Sequence, residues 1–156
     1  MPAFGESKRT YYPGLLPAEA HVWRAWLRSH ESEFDAFRYN VYVGPGVTVP
    51  KDLLTHGDPL EARYVEAWTK ATQFKIDAIG LRGEDWWIIE VEDRLGPTAI
   101  GQLQTYQTLL PQTVVGANPT ELAVVTRTVQ PGMLDVAEQA GVLVFVVDIP
   151  PLSSTG

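Results

Sequence analysis

Two extended runs, Phe74 to Leu81 and Trp86 to Glu92, flank the tetrapeptide Arg82-Gly83-Glu84-Asp85, and this hairpin constrains the fold more than any other feature. Gly83 suits the first central position of a two-residue turn, where its missing side chain permits the required backbone angles. With Gly83 and Glu84 as the turn, strand alternation puts Lys75, Asp77 and Ile79 on one face and Phe74, Ile76 and Ala78 on the other. On the second strand Ile88, Glu90 and Glu92 share a face. Asp77 then falls opposite Glu90, and Lys75 opposite Glu92.

Directly opposed side chains in an antiparallel pair have Cβ atoms about 4.5–5.5 Å apart, and like charges at that separation destabilise the pair. Two such carboxylates either share a proton, with one pKa raised, or capture a hard divalent cation. The plainer alternative is a hydrated strand face on which Lys75 and Glu92 form an ordinary cross-strand ion pair. Ile79 and Trp86 on the same face weigh against full hydration.

The rest of the chain supplies a frame for this hairpin. Pro17 suits a first helical position, and Ala20, Trp23 and Leu27 form one apolar stripe of a helix ending near His30. Phe34 to Val43 reads as a strand before Gly44-Pro45-Gly46, and Val47 to Asp58 as a long loop. The stretch Pro59 to Trp68 fits either a helix or an extended segment. Pro97 to Leu110 is helical, with Ala99, Leu103, Tyr106 and Leu110 on one arc facing the sheet. Gln102, four residues before Tyr106, borders that arc; the two side chains could orient a carboxylate, a water or a phosphate. A core tyrosine and a solvated boundary glutamine are the plainer readings. A strand from Leu122 to Thr126, a helix from Gly132 to Ala140 stopped by Gly141, and a strand from Val142 to Val147 follow. This order implies an α/β fold, a mixed sheet flanked by helices, in one domain over residues 1–156 with loose ends at 1–14 and 150–156.

Composition narrows the functions. Nineteen Asp and Glu against twelve Lys and Arg give a net charge of −7, which disfavours a protein held on DNA by a basic surface. Without cysteine there is no disulfide and no thiolate chemistry. No apolar run approaches the roughly 18 residues of a membrane span, and no signal pattern opens the chain, so a soluble, intracellular, cytoplasmic protein without a membrane partner is expected. Phosphate-loop, zinc-protease and serine-elbow motifs are absent from the sequence.

Taken together, Lys75–Gly80 (KIDAIG), Ile88–Asp93 (IIEVED) and Gly101–Tyr106 (GQLQTY) resemble the active-site motifs of the PD-(D/E)XK nuclease superfamily, the restriction-endonuclease-like fold. The specific part of the resemblance spans about residues 73–106, while element order extends it to about 17–147. The resemblance implies that Asp77 and Glu90 bind Mg2+ or Mn2+, with Glu92, the Val91 carbonyl and Glu19 of the first helix as further ligands. Gln102 and Tyr106 match the Gln-x-x-x-Tyr motif of the RecB and Cas4-like branch. One position departs from the pattern: Glu92 stands where the family carries lysine, and Lys75, facing Glu92, could supply the missing positive charge.

The expected activity is hydrolysis of DNA phosphodiesters by a metal-activated water. Asp77, Glu90, Glu92, Lys75, Gln102 and Tyr106 are the candidate catalytic set, and Arg63, Lys70, Arg82 and Arg94 the candidate nucleic-acid contacts. The alternative is a nuclease fold retained as a binding or assembly module, for instance in a virus-encoded, virion-associated protein, with homo-oligomers or an assembly partner in place of catalysis.

Overall fold

Pro17 opens helix α1 (Pro17–His30) at its first turn, where a missing N–H costs nothing. The computed structural model describes residues 2–49, 54 and 60–153. After α1 come strand β1 (Ala36–Val43), helix α2 (Glu61–Thr72), strands β2 (Phe74–Arg82) and β3 (Asp85–Leu95), helix α3 (Pro97–Thr113), strand β4 (Pro119–Val129), helix α4 (Met133–Gln139) and strand β5 (Val142–Val146). The ambiguous segment is therefore helical from Glu61 onward; Pro59 and most of the expected loop, residues 50–53 and 55–58, lie outside the described residues. Ala62, Ala67 and Ala71 favour the helix. Its Tyr64 and Trp68, however, remain exposed rather than packing inward.

The five strands form one mixed sheet in chain order: β1, β2 and β3 are antiparallel neighbours, whereas β3–β4 and β4–β5 are parallel. Parallel neighbours need crossover connections, and α3 and α4 provide them. The α/β architecture expected from the element order is what the chain adopts. One face of the sheet packs against α1 through Trp23, Trp26, Leu27, Phe34 and Phe37, together with Ala78, Ile89 and Val91. Trp23 and Trp26 stack with ring centroids 5.0 Å apart. The other face packs against α3 and α4 through Ile79, Ile88, Leu103, Tyr106, Leu110, Met133 and Ala137. Ala99, Leu103, Tyr106 and Leu110 are all buried, as their common arc required.

The N-terminal segment, expected to be loose, is tied down. Tyr12 is buried against Tyr39, its hydroxyl donates to the Glu6 carbonyl, and the Tyr39 hydroxyl donates to Glu6 Oε2 at 2.8 Å. An aromatic core side chain separated from α1 by only four residues anchors what composition alone suggested was a tail. At the other end residues 150–153 form no regular structure, and residues 154–156 lie outside the described set.

One irregularity positions the site. Tyr39 pairs with Ala78 and Val41 with Ile76, leaving Asn40 opposite Asp77. Asn40 has a φ of 53°, the left-handed region that asparagine tolerates better than other side chains. Residues two apart on a strand normally share a face. Here Tyr39 and Ala78 belong to the α1 side, whereas Val41 and Ile76 belong to the α3 side. Both strands therefore roll over at Asn40 and Asp77. Asn40→Val is expected to lower stability by about 1–2 kcal/mol, the cost of a left-handed conformation for an ordinary residue. Asn40→Gly should cost less, and urea denaturation of the two variants separates them.

Candidate functional site

The hairpin turn forms as its glycine demands, with Gly83 at φ 60°, and the expected register holds from Arg82↔Asp85 to Ala78↔Ile89. The ladder then ends. In place of a backbone partner at the next position, the Asp77 side chain caps the opening: its Oδ2 accepts the Val91 N–H at 2.9 Å. Alternation along β3 carries Glu90 and Glu92 onto the α3 side with Ile88. Glu90 is only 3% exposed and its carboxyl adjoins that of Asp77. The Tyr106 hydroxyl reaches the same carboxyl from α3. Glu19, in the first turn of α1, adds its charge to the field felt by Asp77 and Glu92 while its Oε1 accepts the Leu16 N–H at 2.8 Å. The structure thus brings Asp77, Glu90, Glu92, Tyr106 and Glu19 into one neighbourhood.

Their electrostatics are strained. Burial raises the Glu90 pKa, and the neighbouring Asp77 charge raises it further. Asp77 is also raised by burial, with the Val91 N–H partly opposing the shift. Burial, then the Asp77 and Glu19 charges, pushes Glu92 up to about 7. Tyr106 is raised by burial and by the carboxylates around it. Among the described residues no Lys, Arg or His forms an ion pair with Asp77, Glu90 or Glu92. Glu90 Oε1 and Gln102 Oε1 are buried without a hydrogen-bond partner. Gln102 is half-buried, with its Oε1 turned away from solvent.

Lys75 and Arg82 fall elsewhere. Lys75 does not face Glu92. The rollover at Asp77 sends its neighbours Phe74 and Ile76 to the α3 side, so Lys75 projects to the opposite face, where its ammonium lies 5.4 Å from the Tyr42 ring centre. Arg82 sits at the turn, five residues or about 17 Å of strand from Asp77, with Nη1 3.9 Å from Glu33. Lys70 pairs with Glu66 at 3.3 Å on α2. Arg63 and Arg94 are exposed.

Glu90 Oε1, buried without a partner and set against the Asp77 carboxyl, is a hard-oxygen donor of the kind that suits a divalent cation. The fit is centred on the Asp77–Glu90 pair. Among the described residues no three acidic or imidazole groups already converge on one ion position. One neighbour escaped the sequence reading altogether: Phe74, assigned by simple alternation to the face away from Asp77, lies edge-on to Tyr106 with ring centroids 6.5 Å apart. No local signal could have moved it, because the rollover depends on Asn40 in another strand. Comparison with models of protein families, with curated proteins and with solved structures finds no match to this chain.

Proposed function

We propose that the chain is a metal-dependent deoxyribonuclease whose site is the Asp77–Glu90 pair. The observation that carries this reading is the buried Glu90 carboxyl, one oxygen unpartnered, set against a second carboxyl with no ion pair to either among the described residues. A fold under selection for stability alone would not retain that arrangement. The PD-(D/E)XK resemblance of the same residues supports the nuclease reading over other metal chemistries.

A Mg2+ or Mn2+ ion held by Asp77 and Glu90 would supply electrophilic activation of the scissile phosphodiester and of the attacking water. The Val91 N–H fixes the Asp77 carboxylate, so the pair is oriented by backbone rather than by mobile side chains. Glu92, titrating near 7, is suited to take a proton from water at neutral pH. The Tyr106 hydroxyl lies beside the Glu90 carboxyl on the α3 side, and Gln102 carries an unpartnered carbonyl oxygen on the same helix.

A second reading, a noncatalytic binding or assembly module, is favoured by one observation: Lys75 stands on the wrong face to replace the family lysine. Incubation with single- and double-stranded DNA in Mg2+ or Mn2+, with and without chelator, separates the two. Chelator-sensitive cleavage is the expected result. DNA or protein binding without cleavage under any metal would transfer the conclusion to the second reading. Lys75→Met is expected to alter cleavage by no more than about twofold, the range of surface substitutions away from a site. A large loss would place the ammonium in the reaction.

A further inference from the structure

We propose that Phe74 is a base-stacking platform at the mouth of the Asp77–Glu90 site, and that the DNA engaged there is single-stranded. This inference rests on the nuclease reading and specifies its substrate.

Phe74 begins β2 and is 51% exposed, although Ile76, two residues on, is fully buried on the same side. Its ring is supported from behind. Tyr106 meets it at 64° with centroids 6.5 Å apart. A methyl group placed on Gly44 would lie 3.6 Å from Phe74 Cδ2 and 3.2 Å from the Leu109 side chain, so the β1 terminus and α3 close around the ring. What remains is a braced aromatic surface open to solvent. Because Tyr106 also adjoins Glu90, one ring separates Phe74 from the carboxylates.

The charge balance makes such a platform useful. At a net charge of −7, with Lys70 and Arg82 beside acidic partners, the protein has little electrostatic attraction for a phosphate backbone. Stacking of a base on an aromatic ring supplies affinity without positive charge and tolerates any sequence. A base in a duplex is already stacked on both faces and is not available to Phe74, whereas an unpaired base is.

The test measures binding of fluorescein-labelled oligothymidylate and of a labelled duplex by anisotropy, in calcium, for wild type, Phe74→Ala, Phe74→Leu and Phe74→Tyr. Thermal melts check folding, and the Leu and Tyr variants keep the apolar contact with Tyr106 and Leu109 should the Ala variant unfold. Single-strand binding is expected to weaken about tenfold in Phe74→Leu and Phe74→Ala, to persist in Phe74→Tyr, and to exceed duplex binding in wild type. Wild-type affinity in Phe74→Leu would show that apolar bulk alone matters and overturn the proposal. A parallel loss of single-strand and duplex binding would do the same. If wild type cleaves DNA while Phe74→Leu binds normally, only the stacking role falls. If wild type neither binds nor cleaves either DNA, the nuclease reading falls with it.

Discussion

Glu90→Gln and Asp77→Asn are each expected to reduce metal-dependent DNA cleavage on the order of 1000-fold while leaving the fold intact. The size follows from the site's economy of ligands. At this pair two carboxyls adjoin directly and one oxygen is unpartnered, so neutralising either removes one of the two carboxylates best placed to hold a cation. Loss of a single preorganised charge-stabilising group costs about 100- to 1000-fold in other active sites, and loss of a metal ligand belongs at the upper end. Amide replacements keep the volume, and the amide of Asp77→Asn retains an oxygen for the Val91 N–H, so secondary structure by circular dichroism should be unchanged. Equal cleavage by wild type and both variants would mean that the activity belongs to a contaminant and would remove the proposed site.

The second large effect concerns stability. Asp77, Glu90 and Glu92 all have folded-state pKa values above their unfolded ones, Glu92 from 4.5 to about 7. Between these limits the folded chain binds more protons than the unfolded chain. Stability from these groups is therefore fully present below about pH 4 and declines as pH rises through 7. For Glu92 alone, with its partial exposure discounted, the decline is on the order of 1–2 kcal/mol, and the Asp77–Glu90 pair adds to it in the same direction. Urea midpoints at pH 5 and pH 8, without metal, should show the loss. Millimolar Mg2+ should recover it at pH 8, because a ligand at 100 times its dissociation constant stabilises by about 2.7 kcal/mol. In Glu90→Gln both the pH slope and the metal effect should shrink. A wild-type midpoint that is flat or rises across this interval would mean the carboxylates are hydrated, and the physical case for a cation would fail.

Activity and stability are expected to move in opposite directions at this site. Asp77→Asn should be more stable than wild type at pH 8 without metal, since it removes a buried charge that repels the neighbouring Glu90 carboxyl. Substitutions that damage activity through misfolding move both quantities down, so the pair of measurements distinguishes a functional site from a structural one.

Local rules in the sequence determined much of this protein. Gly83 set the turn and, through it, the register that brings Asp77 beside Glu90. Helical spacing set the buried arc of α3 that carries Tyr106 to the same carboxyl, and Pro17 and Pro97 marked helix starts. These features depend on residues within one turn or one hairpin, so periodicity reads them directly. The tertiary structure alone decided that Lys75 leaves the site and Phe74 joins it. That exchange follows from the rollover at Asn40 and Asp77, where a left-handed residue 37 positions earlier in the chain reverses the faces of a paired strand. Alternation within β2 contains no trace of it. The anchoring of Tyr12 and the exposure of α2 are likewise outcomes of which surfaces meet, and no pattern inside either segment specifies its partner.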